Sequence, residues 1–250
     1  MPHCTHYPVK TLADVEALPS PDVTVATRTA DRIAGAHLFR ERLGAATMPP
    51  VIGWIEGPLA EVCDLAGVSE MLMKLATERD FTEALLAKVL PTAKAFAQVQ
   101  IAAGCTIIGI GDAICSQISA RMYAKLVKPL HAELVAFIQS QDVTVKLHIC
   151  GDITHLLPHL RDVHPDIVDC DWKVDMDYAY EVLGPDIIRG GNLDPTGVIE
   201  QLPAAEVAAR TRALVEKERG RPFILAGGRE ITPLTPPENL LAMRAASRTA

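Results

Sequence analysis

The chain has 250 residues, 49% of them hydrophobic and 22% charged, with a formal net charge of −7. That length suits one large domain with a sizeable core, and the composition is that of a soluble globular protein. The negative balance argues against a nucleic-acid backbone as main partner, because phosphate binding concentrates Lys and Arg on one surface.

Met1 to His6 has neither a basic segment nor an apolar one, so no secretion signal is read there. The first 30 residues hold one weak strand, at Val23-Thr24-Val25. The first clear strand is Val51 to Ile55. A helical stretch follows over Phe81 to Ala103, then a strand over Thr106 to Ile110 and a helix over Ala120 to Ser140, with Met122, Leu126, Leu130, Leu134 and Phe137 at helical spacing. Strands follow at Val143 to Ile149, Asp166 to Cys170 and Ile187 to Gly190. A helix over Ala204 to Arg219 starts after Pro203 and stops at Gly220. A strand at Pro222 to Ala226 and a helix at Glu238 to Arg244 complete the pattern. Strands separated by helices predict βα units and a parallel sheet in a single domain over 1–250. A closed (β/α)8 barrel needs eight strands, so six clear ones predict an N-terminally shortened barrel or weak N-terminal strands.

No run reaches the roughly 18 apolar residues that span a bilayer, so no membrane partner is expected. Cys4, Cys63, Cys105, Cys115, Cys150 and Cys170 are scattered through apolar segments, which predicts reduced thiols and a cytoplasmic location.

The chemistry concentrates in Val143 to Asp152. On a strand, residues two apart share a face, so Lys146, His148 and Cys150 point one way and Val145, Leu147 and Ile149 the other. A polar row ending in His-x-Cys at the C-terminal end of a parallel strand reads as a soft-metal or thiol site. The alternative is a core histidine beside an inert cysteine. A third ligand has to come from elsewhere: Cys170, at the end of the next strand, or the oxygens of Asp171 and Glu230. Strand parity puts Asp169 and Asp171 on one face and Cys170 on the other, so one set alone faces the site unless a bulge intervenes. Cys170 also reads as a small core residue.

Further candidates each carry two readings. Asp112, after Ile110-Gly111, contacts substrate or caps the following helix. Asp171 sits in an Asp-Trp pair at a strand end. Asn192 and Asp194 bind substrate or order the turn into Pro195. Trp54 is a stacking platform for substrate or a packing residue. His155, His159 and His164 read as surface histidines.

Five segments in order resemble one family. They are Pro50 to Pro58, Leu147 to Gly151, Val168 to Trp172, Gly190 to Pro195, and Ile224 to Ile231 followed by Thr235 to Leu240. From Tyr7 onward the chain resembles the uroporphyrinogen decarboxylase superfamily, and within it most of all the corrinoid-linked methyltransferases of the methylcobamide:coenzyme M type. The resemblance implies a distorted (β/α)8 barrel with its active site at the C-terminal ends of the strands. It also implies zinc on the His148/Cys150 pair, which the decarboxylase branch lacks. The last zinc cysteine of those methyltransferases falls at Arg229, which cannot ligate a metal and brings a fixed positive charge. An N-terminal portion of the family, with two barrel strands, an arginine-rich motif and a catalytic aspartate, has no counterpart in the sequence.

The expectation is therefore a methyltransferase with His148, Cys150 and Cys170 as metal ligands, Asp112, Asp171 and Arg229 as catalytic groups, and Asn192 and Trp54 as substrate contacts. It would move a methyl group between a corrinoid on a partner protein and a small thiol or methylated small molecule. Zinc lets a thiol bind as thiolate near neutral pH. The alternatives are a metal-free decarboxylase or lyase, using Arg229 and the aspartates electrostatically, and a noncatalytic family member that binds a corrinoid protein or sister subunit. Open sheet edges predict a homo-oligomer or an N-terminus that fills the gap.

Overall fold

The computed structural model describes residues 6–44 and 49–248, and Cys4 lies outside them. Two compact units divide the chain, 1–147 and 148–250.

The first unit opens with α1 (Leu12–Ala17), whose N-terminus Thr11 and Asp14 close as a reciprocal capping box. Then come α2 (Thr27–Leu43), β1 (Ile52–Glu56), α3 (Pro58–Ala66), α4 (Val68–Thr77), α5 (Arg79–Ala102) and β2 (Ile107–Gly111). Strands β1 and β2 pair in parallel, with Trp54 opposite Gly109. A short 3-10 turn leads to α6 (Ala120–Met122), a π-turn over Tyr123–Val127, α7 (Lys128–Gln139) and β3 (Thr144–His148), whose first N–H reaches Thr106 O of the β2 approach at 3.3 Å.

Two expectations change here. Val23 to Val25 forms a turn, not a strand, because the Asp22 carboxylate accepts from both the N–H and the hydroxyl of Thr24 and bends the chain. The helix expected over Ala120 to Ser140 runs without interruption over 120–139 but widens into a π-turn just before Pro129. The proline ring has no N–H for the ladder, and the widened turn absorbs the loss.

The β1–β2 surface explains its own glycines. The Trp54 indole lies flat on β2, and a Cβ on Gly111 would stand 2.5 Å from the ring; Gly109 is in the same position. Behind the strands, Ile55, Leu59, Val62, Leu85, Ile108, Ile110, Leu134 and Val145 form the buried core.

The second unit runs from His148 through α8 (Leu157–Val163), β4 (Ile167–Asp169), α9 (Met176–Leu183) and β5 (Ile188–Leu193). A π-turn (Pro195–Glu200), α10 (Ala204–Lys217), β6 (Phe223–Gly227) and α11 (Pro237–Ala246) complete it. Strands β4, β5 and β6 pair in parallel and in chain order. Leu157, Leu160, Val168, Ala179, Ile187 and Ile199 are among its buried apolar residues. A fully buried ion pair, Arg189–Glu218 at 2.7 Å, crosses this core. The guanidinium also donates to Met176 O and lies over the Tyr180 ring.

The pairs β1–β2, β4–β5 and β5–β6 are parallel and the strands alternate with helices, the α/β class expected from the sequence. Among the described residues no helix is long and apolar enough to cross a membrane.

Candidate functional site

Strand β3 alternates as its sequence predicts: Val145 and Leu147 are buried, and His148 closes the other row at the C-terminal end. Ile149 continues the buried row, and Cys150, half-buried, comes next on the His148 side. The consequence is a close pair. His148 Nε2 stands 2.9 Å from Cys150 Sγ, and its other nitrogen, Nδ1, stands 3.1 Å from Asp169 Oδ2 at the end of β4. Thiol, imidazole and carboxylate thus form a line of three. Burial works against a charged imidazole here, yet the bonds to Asp169 and Cys150 outweigh it and push His148 up to about 9 from its ordinary value near 6.5.

The turn after Cys150 is held from beneath. Gly151 N–H donates to Asp171 Oδ2 at 2.8 Å, and Asp171 Oδ1 accepts from Lys173 N–H at 3.1 Å, with Asp171 fully buried. Asn192 Nδ2 in turn donates to the carbonyls of Val174 (2.8 Å) and Asp171 (3.3 Å). Asp171 and Asn192 therefore shape the loop that carries the thiol. Cys170 turns the other way. It is fully buried, its thiol lies 3.8 Å from Val168 O, and burial pushes it up to about 12. Among the described residues it does not gather with His148 and Cys150 into a set of three ligand atoms. Parity decides this: Asp169 takes the site face, so Cys170 takes the core. Arg229 is exposed, beyond β6.

Zinc, which the resemblance implies, can be tested against these donors. An imidazole nitrogen and a thiol sulfur already face each other, and the carboxylate on the far nitrogen is the partner that metal-binding histidines use to fix tautomer and ring angle. Two protein donors of the right kind are in place. The pair fits a soft cation on these grounds.

In the first unit Asp112 sits immediately after β2 and is fully buried. Its carboxylate accepts from Leu59 N–H (3.1 Å) and Ala60 N–H (2.7 Å), capping α3, the helix before it in sequence rather than the one after. It also lies 2.9 Å from His131 Nε2, and His131 Nδ1 lies 2.9 Å from Tyr123 Oη. Gly57 leaves the room for this: a Cβ there would overlap Asp112, standing 2.6 Å from its Cγ. Asp112, Cys115 and His131 bring one ligand atom each within 4.8 Å of one another, all three residues buried. Protons and backbone donors already occupy these atoms. The Cys115 thiol is pushed well above its ordinary value, first by burial and then by the charge of Asp112, which opposes the thiolate a metal needs. Trp54 lines a cavity of about 590 Å³ with Glu56 and Phe96, and its indole N–H bonds to the Glu56 carboxylate.

Sequence reasoning missed Asp169 and His131 as site groups. The parity of Val168 to Asp171 set Asp169 opposite Cys170 but left open which of the two faces the site. Nothing local marks His131, whose role depends on a carboxylate 19 residues away.

The sequence model of the uroporphyrinogen decarboxylase (URO-D) family matches residues 1–250. The uroporphyrinogen decarboxylase of Geobacter sulfurreducens is 29% identical over 249 residues, which cover 95% of this chain and 70% of that protein. That of Trichlorobacter lovleyi is 28% identical, over 93% of this chain and 68% of its own length. Among solved structures, a methyltransferase from Methanosarcina mazei superposes with a TM-score of 0.88 at 23% identity, covering 98% of this chain and 71% of that one, and shows the shared fold. On the family match over its whole length, the chain belongs to the uroporphyrinogen decarboxylase family.

Proposed function

We propose that the chain is a methyltransferase that moves a methyl group between a corrinoid, held on a separate protein, and a small thiol or methylated small molecule. The observation that carries this reading is the His148/Cys150 pair backed by Asp169. The fold shared with a methyltransferase supports it. His148 Nε2 and Cys150 Sγ would hold zinc, which when bound lowers the pKa of a coordinated thiol. Asp169 keeps the proton on His148 Nδ1 and leaves Nε2 as the donor. Asp171, through Gly151 N–H, holds the Cys150 loop in place. Arg229, exposed and always charged, suits an anionic group on the thiol substrate.

The test is an optical assay with methylcobalamin and a panel of small thiols. Thiol-dependent loss of the methyl–cobalt spectrum is expected for the native chain, with a drop of about 100-fold or more in Cys150→Ala if that sulfur helps to hold the catalytic group. Equal rates in the two proteins would reject the reading. A second reading has its own support: the curated relatives matched over most of the chain carry the name uroporphyrinogen decarboxylase. Turnover of uroporphyrinogen that is indifferent to Cys150→Ala would favour it.

A further inference from the structure

The cavity of about 590 Å³ that Trp54 lines is built wholly from residues 21–96 of the first unit, and none of the residues of the methyl-transfer reading lines it. Its volume is that of a small-molecule pocket, and much of its lining is apolar. Ile55 comes from β1. Val89, Ala93 and Phe96 come from α5, where their spacing puts them on one helical face.

Two helices bring opposite charge to this lining. On α2, Arg28 and Arg32 stand one turn apart and share a face. On α3, Glu61 and Asp64 do the same. Among the described residues no ion pair engages any of these four side chains. Burial pushes both α3 carboxyls up, and the charges of Asp64 and Glu56 push Glu61 further, with no cation acting against them. Glu56 is already engaged: its carboxylate accepts from the Trp54 indole and feels the charge of Arg32.

We propose that this cavity binds a small zwitterion, with its ammonium group at Glu61 and Asp64, its carboxylate at Arg28 and Arg32, and a short aliphatic chain on the apolar lining. A simple anion would leave the two α3 carboxylates without a cation, and a simple amine would leave the two guanidinium groups without an anion. An uncharged ligand would answer neither set. A molecule with both charges compensates both, and its methylene groups leave water against Ile55, Val89 and Phe96. Trp54 adds an aromatic ring, the kind of surface that favours an ammonium group.

Fluorescence titration tests this. The chain holds two tryptophans and only Trp54 lines the cavity, so the Trp172→Phe variant keeps one indole that reports occupancy. In that background 5-aminopentanoate is expected to change the emission saturably, half-maximal below about 1 mM, while pentylamine and pentanoate, each with one of its charges, bind at least about tenfold more weakly. Arg28→Gln/Arg32→Gln is expected to weaken 5-aminopentanoate to the level of pentylamine and to leave pentylamine unweakened. Glu61→Gln/Asp64→Asn is expected to weaken it to the level of pentanoate and to leave pentanoate unweakened. Circular dichroism checks that each variant is folded; should one not fold, the three probes on the unaltered cavity decide alone. No saturable change with 5-aminopentanoate, equal affinity for all three probes, or unchanged affinity in either folded double variant would each overturn the proposal.

Discussion

At the residue scale, the proposed chemistry rests on one contact: an imidazole held between a thiol and a carboxylate. The raised value of His148, about 9, gives the pair a pH signature in metal-free protein. A group whose folded value lies above its unfolded one adds stability that is complete below the unfolded value and is lost as pH climbs through the folded one. The native chain should therefore lose stability between about 6.5 and about 9 in urea titrations, and Asp169→Asn should flatten that slope. An unchanged slope in the variant would show that Asp169 does not govern this proton. The thiols make a second prediction. Cys63, Cys105, Cys115 and Cys170 are buried, and burial pushes each of them up. Cys150 alone among the described cysteines is half-buried. Brief iodoacetamide treatment at neutral pH should label Cys150 first among these five, as read by peptide mass spectrometry. Labelling led by any of the other four would contradict the geometry. The pairing of His148 with Cys150 was legible from strand parity alone, because a period of two is rigid. The partner of His148 was legible only in part, since parity names a face and not a neighbour. Cys170 obeys the same rule in reverse, and its place in the core leaves the pair without the third ligand expected of it.

At the element scale, all six strands and the helices α5, α7, α10 and α11 fall within a few residues of their sequence signals, whereas the 17-residue α2 was not read from the sequence. Short β-rich runs against long Ala/Leu-rich stretches leave little ambiguity. The misses lie at α2, which no pattern announced, and where side chains override pattern, at Asp22 bending the weak N-terminal run and at the π-turn that precedes Pro129. Asp112 shows the same limit. A carboxylate after a strand reads as a cap for the next helix in sequence, but three-dimensional proximity gives it α3 and His131 instead. The join between β1 and α3 depends on that carboxylate, and Gly57 is the residue that lets it in. Gly57→Ala should cost about 2–4 kcal/mol in urea unfolding, because the methyl displaces Asp112 and strands the N–H groups of Leu59 and Ala60. A loss under about 0.5 kcal/mol would show that the cap is dispensable.

At the scale of the whole molecule, the family fold was legible because five short motifs keep their order along the chain, although none is specific alone. The family match and the superposition on a methyltransferase agree on that fold. Which chemistry the fold hosts is decided by a few side chains, as it is in any fold that serves many reactions. In the function proposed above the deciding ones are His148 and Cys150, gripping a soft cation. Metal analysis of protein purified without chelator tests it most directly. The account predicts close to one zinc per native chain, and little or none in His148→Ala and in Cys150→Ala, each still folded by circular dichroism. Equal zinc in the native chain and both variants, or none in any of the three, would contradict it.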